Sequence, residues 1–122
     1  RQCKDKVVNL AGKTSLIELV SVISHGDLIL SNDTLAPHIA VTLDVSNIFV
    51  LFNGNHFGRF APYPREICEN HHVIYHPSLV ENLKEYKNTN HIYQLGSDLC
   101  INDISFKMVK KKIDAVLQNS QV

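Results

Sequence analysis

A short polar turn at positions 31–34 is the segment of this sequence best suited to binding an anion. It joins an apolar run to a helical pattern, and Thr34 stands where the N-cap of the helix is expected. The first amides of that helix, those of Leu35 and Ala36, have no intrahelical acceptor and lie at the positive end of the helix dipole. The turn therefore predicts a site for a phosphate or diphosphate group.

Two ionisable side chains frame this turn. Asp33 places a carboxylate directly before the N-cap, and His38 lies one turn into the helix. Pro37 occupies the third helical position, where its missing amide costs the helix no hydrogen bond. The same residues also fit a structural role, because Asp and Thr are good helix caps and a single histidine is commonly a hydrogen-bonded structural residue. From the residues alone, both interpretations stay open.

The first half of the chain predicts alternating strands and helices. Ser15 and Glu18 fit a capping box, and Gly26 is expected to end that helix in the left-handed conformation. The predicted strands are 6–10, 27–31 and 47–52, and the predicted helices are 15–25 and 35–43. Short connections between these elements indicate an α/β fold, with a Rossmann-like parallel sheet flanked by helices.

The second half is less regular. A loop at 53–64, rich in glycine and proline, precedes a predicted strand at 71–75. Ser78 and Glu81 suggest a second capping box, before a helix at 79–86, and 91–95 is a further predicted strand. Ser105 is the expected N-cap of a C-terminal amphipathic helix spanning about 105–118. The apolar face of that helix is predicted to hold Phe106, Val109, Ile113, Val116 and Leu117.

Three loops follow predicted strands, at 11–14, 31–34 and 53–64. Ligands of open parallel α/β sheets bind at the carboxyl ends of the strands, so these loops are the candidate binding segments. The third loop carries His56 and Arg59, which could meet an anionic ligand. A surface arginine paired with a carboxylate is the competing interpretation.

The composition describes one domain of 122 residues, with 44% apolar and 20% charged residues and a formal net charge of zero. This balance argues against a nucleic-acid partner, and the lysines at 110–112 fit the solvated face of a helix. The three cysteines are widely spaced, which fits free thiols in a reducing cytoplasm. The apolar runs are no longer than strands, so no membrane span is expected.

Four histidines in the second half raise the possibility of a metal site. They are His71, His72, His76 and His91. Adjacent residues of a strand point to opposite faces, so His71 and His72 could not both join one site. We therefore expect no metal ion at these histidines.

The motifs at 9–16 (Asn-Leu-Ala-Gly-Lys-Thr-Ser-Leu), 30–34 (Leu-Ser-Asn-Asp-Thr) and 38–40 (His-Ile-Ala) resemble glycosyltransferase family 9. This is the family of the ADP-heptose:lipopolysaccharide heptosyltransferases. Its members carry a similar loop, then a helix, a strand and a D-T-G-x-x-H-x-A turn. Order and spacing match through about position 60, and the C-terminal helix also fits.

The resemblance implies the C-terminal, nucleotide-sugar-binding half of a GT-B enzyme that transfers a sugar with inversion, without a metal and without any other cofactor. The whole of 1–122 would be one partial domain. The donor would be ADP-heptose-like and the acceptor a cell-surface glycan or lipid-linked glycan, as in lipopolysaccharide synthesis. The enzyme would work in the cytoplasm, at the inner face of the inner membrane, with peripheral membrane association through the full-length protein. The donor-binding residues that the resemblance implies are Asp33, Thr34, Leu35, Ala36, His38, Lys13 and Thr14.

Two residues depart from the family pattern. Leu35 stands where the family usually has glycine, which lets the backbone approach a phosphate closely, and Pro37 removes one amide from the helix start. The family's general base is expected in a separate N-terminal domain, so this segment alone should be inactive. A non-catalytic, family 9-like scaffold and a nucleotide-sugar epimerase of similar architecture are the alternatives.

Overall fold

A computed structural model describes residues 6–59, 61–85 and 96–119. Its centre is a parallel sheet of three strands in the order β1-β2-β3. The helices α1 and α2 come before and after β1, and α3 and α4 follow β3. The elements are α1 Leu16–Ser24, β1 Ile29–Asn32, α2 Leu35–Thr42, β2 Ile48–Phe52, β3 His71–Tyr75, α3 Pro77–Glu85, a 3-10 turn Ile101–Asp103 and α4 Phe106–Asn119. The predicted α/β class with a parallel sheet is confirmed.

The central strand β2 supplies the core on both faces of the sheet. Ile48 and Val50 point to one face, where they pack with residues of α1 and α2. Phe49 points to the other face, where it packs with residues of α4. The in-register pairing of His71 with Ile48 places that histidine on the α2 face.

The start of α1 matches the predicted capping box. The amide of Glu18 donates to the Ser15 hydroxyl at 3.3 Å, and the amide of Ser15 donates to the Glu18 carboxylate at 2.7 Å. The predicted end of α1 is wrong in one respect, because Gly26 does not have a positive φ. A Cβ atom at Gly26 would lie 3.3 Å from the Cδ1 atom of Ile29, so this glycine permits a close approach of the chain to β1.

The predicted strand at 6–10 does not form. Val7 and Val8 are 73% and 78% exposed, and this segment has no strand partner among the described residues. Instead the amide of Ala11 donates to the Asn9 side chain, and the amide of Lys13 donates to the carbonyl of Leu10. These local hydrogen bonds form the turn predicted at 11–14 and compete with extended pairing.

Helix α3 begins two residues earlier than predicted, and its capping box is wrong. Pro77 is its first residue, a position that proline favours because its missing amide would have no partner. The Nδ1 atom of His76 accepts a hydrogen bond from the amide of Ser78, so His76 caps the helix. The other ring nitrogen of His76 lies 3.2 Å from Asp103.

The C-terminal helix is confirmed, with Ser105 as its cap: the amide of Met108 lies 3.4 Å from the Ser105 hydroxyl. Val109 is buried, whereas Phe106 is 81% exposed and does not belong to the buried face. The predicted strand at 91–95 lies outside the described residues. In the part of the chain that the structure describes, no helix combines the length and the hydropathy needed to cross a bilayer.

Candidate functional site

The turn after β1 is shorter than predicted, because Ser31 and Asn32 belong to the strand, and it lacks the predicted capping interaction. Thr34 is the N-cap of α2, with extended backbone angles, and its side chain makes no capping hydrogen bond. Its hydroxyl instead lies 3.4 Å from the carbonyl of Asn32 and 3.4 Å from the hydroxyl of Ser31. The amides of Leu35 and Ala36 are therefore not satisfied by the Thr34 side chain.

Asp33 and His38 meet across the first turn of α2. The Oδ1 atom of Asp33 lies 3.7 Å from the Nε2 atom of His38. Burial raises the pKa of Asp33, and the nearby imidazoles of His38 and His56 oppose this effect. The structure thus brings three of the sequence-predicted residues into one electrostatic cluster at the carboxyl edge of the sheet.

His38 is held from its other side by a tyrosine of the long loop. The Nδ1 atom of His38 lies 2.8 Å from the hydroxyl of Tyr63, and the ring centroids are 5.8 Å apart. The Tyr63 ring then meets the ring of His71 edge-on, with the centroids 5.0 Å apart. A continuous row of polar side chains therefore runs from Asp33 through His38 and Tyr63 to the first residue of β3.

His71 forms the buried end of this row. Its pKa is lowered to about 4, first by burial and then by the nearby imidazoles of His38 and His72. The ring is consequently neutral near pH 7. Its Nδ1 atom is buried and has no hydrogen-bond partner, so His71 carries a polar atom that the fold leaves unsatisfied.

The loop that follows β2 closes one side of the site. A cleft of about 540 Å³ is lined by His38, Gly58, Arg59, Pro62, Tyr63, Pro64 and Ile67. Arg59 therefore shares a cleft with His38, and His56 is close enough to Asp33 to influence its pKa. Both cleft-loop residues singled out in the sequence lie near the turn at the start of α2.

Leu35 and Ala36 point in different directions at the start of α2. Ala36 packs against the core, whereas the side chain of Leu35 is 58% exposed. Leu35 lines an apolar groove of about 310 Å³ together with Val20 and Ile39. The large residue that replaces the family glycine is thus on the surface, at the first position of the helix.

Lys13 and Thr14 are not joined to this cluster. They are the last two residues of the turn at 11–14, which leads into α1, and Lys13 is exposed. Within the described ranges, no hydrogen bond, ion pair or ring contact connects either residue to Asp33 or His38. Their predicted role against a nucleoside stays a prediction.

The histidines considered for a metal site have separate neighbours. His71 faces Tyr63, whereas the ring of His72 lies 5.1 Å from that of Phe49, on the opposite face of the sheet. Burial and the cations of Lys112 and Arg65 lower the pKa of His72. Among residues 6–59, 61–85 and 96–119 no three His, Cys, Asp or Glu side chains are grouped to hold a metal, and His91 lies outside these ranges.

Tyr63 is the site residue that the sequence did not indicate. It is separated from His38 by 25 positions and lies in an irregular segment, where no periodicity specifies which way a side chain points. Its only local signal is its place between Pro62 and Pro64, which restricts the backbone on both sides.

The fold is a parallel α/β layer, and in open sheets of this class the usual position of a ligand is the crevice beyond the carboxyl ends of the strands. The family model for glycosyltransferase family 9 (heptosyltransferase) matches residues 1–88, and the chain belongs to this family. The same comparison supports a glycosyltransferase role for the protein. Searches among curated proteins and among solved structures found no match.

Proposed function

We propose that this domain holds the nucleotide-sugar donor of an inverting, metal-independent glycosyltransferase. One observation carries the proposal beyond family membership: the first amides of α2 are left uncapped by Thr34, directly beside Asp33 and His38. A donor diphosphate would accept hydrogen bonds from the amides of Leu35 and Ala36 and would benefit from the helix dipole.

Each side chain of the cluster has a proposed role. The Nε2 atom of His38 would donate to a phosphate oxygen, and Asp33 would accept a hydrogen bond from a hydroxyl of the donor sugar. Together with the amides, His38 would offset the charge that grows on the diphosphate leaving group as the glycosidic bond breaks. In this proposal the domain stabilises the leaving group, and a residue outside these 122 positions removes the acceptor proton.

The remaining predicted residues would surround the donor. Arg59 and His56 would face the diphosphate or an anionic acceptor from the cleft loop. Lys13 and Thr14 would lie against the nucleoside, which requires the segment before α1 to approach the turn when the donor binds. The exposed Leu35 side chain stands beside the amides and would limit how closely a diphosphate approaches them.

The family relationship is also the basis for proposing a donor, an acceptor and a cellular location. The donor would be ADP-heptose-like, and the acceptor would be a lipid-linked or cell-surface glycan such as lipopolysaccharide. The domain would be the C-terminal half of a GT-B enzyme. That enzyme would work in the cytoplasm and associate peripherally with the inner face of the inner membrane through its full-length form.

Thermal unfolding of the full-length protein with ADP-, GDP- and UDP-sugars tests the proposal. A ligand present at about 100 times its Kd stabilises the folded state by about 2.7 kcal/mol, which gives a clear rise in Tm. Asp33→Asn should reduce that rise. Asp44→Asn is the matched control, because Asp44 is an exposed aspartate that follows the opposite end of the same helix.

The alternative is a family 9-like domain that serves as a scaffold without binding a donor. The exposed Leu35 in place of the family glycine is the observation that favours it. If none of the three classes of nucleotide sugar raises the Tm of the full-length protein, the donor-binding proposal fails and the scaffold interpretation stands.

A further inference from the structure

The two ring nitrogens of His38 have chemically different neighbours. Nε2 lies 3.7 Å from a carboxylate oxygen of Asp33, and Nδ1 lies 2.8 Å from the hydroxyl of Tyr63. A neutral imidazole carries one proton, so one nitrogen donates and the other accepts. A carboxylate can only accept, whereas a tyrosine hydroxyl can donate or accept. The arrangement that satisfies both neighbours has the proton on Nε2 and a hydrogen bond from Tyr63 to Nδ1.

We propose that Tyr63 is a positioning residue, whose hydroxyl donates to the Nδ1 atom of His38 and thereby keeps the imidazole proton on Nε2. The reverse arrangement would direct the Nε2 lone pair at the carboxylate of Asp33, which is repulsive. Tyr63 therefore determines which nitrogen of His38 presents a donor towards the start of α2.

The Tyr63 ring has packing contacts that its hydroxyl does not supply. The ring packs against the core cluster that contains Ile48 and Cys68, and it meets the ring of His71 edge-on at an interplanar angle of 62°. Removing the hydroxyl as Tyr63→Phe should therefore leave the ring and the loop in place. The variant therefore tests the hydrogen bond without removing the packing contacts of the ring.

The link also connects two segments that are distant in the sequence. Tyr63 belongs to the loop between β2 and β3, and His38 belongs to α2, where it lines the same cleft of about 540 Å³ as Tyr63. The loop thereby orients a group whose other nitrogen faces the turn that holds Asp33. The consequence for donor binding rests on the proposed function, but the position of the proton does not.

The position of the proton can be read directly by ¹⁵N NMR of the histidine rings. Spectra are recorded at about pH 8.5, well above the ordinary pKa of an imidazole, and His38 is assigned with a His38→Gln variant. We expect the wild-type protein to carry the His38 proton on Nε2 and to show an Nδ1 resonance typical of a hydrogen-bonded acceptor. In Tyr63→Phe the Nδ1 resonance should move to the value of an unbonded acceptor. The ratio of the two tautomers should fall about fivefold, as expected for the loss of one hydrogen bond.

Tyr75→Phe is the matched control. Tyr75 is also a half-buried tyrosine, but its ring contacts Phe52 and Phe57 rather than His38. Removing the Tyr75 hydroxyl should leave the His38 resonances unchanged. A wild-type proton on Nδ1, or an Nδ1 resonance that Tyr63→Phe does not move, would overturn the proposal.

A second measurement separates this inference from the proposed function. In the full-length protein, Tyr63→Phe should raise the Kd and the KM for the nucleotide sugar about fivefold, while Tyr75→Phe should not change them. If the wild-type protein binds no nucleotide sugar, the proposed function fails while the ring spectra still decide the role of Tyr63. If Tyr63→Phe alters the ring spectra but not donor binding, the claim that Tyr63 orients His38 for the donor is wrong.

Discussion

The Nδ1 atom of His38 lies 2.8 Å from the hydroxyl of Tyr63, although the two residues are 25 positions apart. This contact ties the loop after β2 to the helix whose first amides face the proposed donor site. It also leaves Nε2 as the nitrogen that faces Asp33. The site is therefore assembled from the turn between β1 and α2 and from the loop between β2 and β3, and its parts can be tested one at a time.

Leu35→Gly should strengthen the binding of a nucleotide sugar to the full-length protein. The leucine side chain is 58% exposed at the first position of α2, and its removal would let a diphosphate approach the amides closely. We expect the Kd measured by calorimetry to fall roughly tenfold, equivalent to about 1.4 kcal/mol. Leu43→Gly, at the other end of the helix, is the control and should leave the Kd unchanged. An unchanged or higher Kd in Leu35→Gly would show that the leucine does not obstruct the site.

Phe49→Ala should strongly destabilise the fold. Phe49 is fully buried between β2 and α4, so its truncation removes apolar contacts and leaves a cavity. The free energy of unfolding should fall by about 3–5 kcal/mol in chemical denaturation. Phe106→Ala is the matched control, because Phe106 is 81% exposed. Its effect should stay within about 0.5 kcal/mol. Equal losses in the two variants would contradict the assigned core.

The folded state should lose stability between pH 6.5 and pH 4 because of His71. Burial lowers the pKa of His71 from 6.5 to about 4, so over this range the unfolded chain binds a proton that the folded chain does not. The free energy of unfolding therefore falls as the pH falls through this range, and most of the loss occurs between the two pKa values.

A His71→Phe variant removes this titration and keeps an aromatic ring against Tyr63. Its stability should depend less steeply on pH over this range, with the remaining slope owed in part to His72, whose pKa is also lowered. His25→Gln replaces an exposed histidine and should leave the slope unchanged. A slope that His71→Phe does not reduce would mean that His71 is protonated in the fold.

Ser15→Ala should weaken the start of α1. The variant removes the hydroxyl that accepts from the amide of Glu18 at 3.3 Å and breaks the capping box. Denaturation should show a loss of about 1 kcal/mol. The exposed Ser46, which has no hydrogen bond through its side chain in the described part of the chain, provides the control Ser46→Ala. A loss no larger than that of the control would argue against the capping box.

Regular elements of this fold could be predicted because each has a local signal. The apolar runs at β1 and β2 predicted parallel strands, and both strands form, although β2 is buried and β1 is only partly buried. The Ser15–Glu18 pair located the start of α1 to the residue. The connection from β1 to α2 was also found from its residue types, since strand, cap and helix follow one another without a gap. Such signals depend on neighbours in the sequence.

The predictions that were wrong depended on information that is not local. Val7 and Val8 have high strand propensity, but a strand also requires a partner, and the hydrogen bond from Ala11 to Asn9 favoured a turn. At α3, Ser78 and Glu81 gave the pattern of a capping box. Pro77 at the first helical position, with His76 as the cap, was the better signal.

The candidate site could also be predicted only where its residues are close together in the sequence. Asp33 directly precedes the N-cap of α2 and His38 lies in the first turns of that helix, so the sequence could place the two side chains near each other. Tyr63 reaches His38 from a segment with no periodicity, and the unsatisfied Nδ1 atom of His71 results from packing between elements. Neither feature can be predicted from the sequence pattern around these residues.

The most direct test of the account is to map the donor site by NMR. Backbone amide resonances of the ¹⁵N-labelled full-length protein are followed while a nucleoside diphosphate sugar is added. We predict that the largest changes fall on Asp33, Thr34, Leu35, Ala36 and His38, the residues at the start of α2. If these amides do not respond, or if the changes are confined to other segments such as α4, the central claim is contradicted.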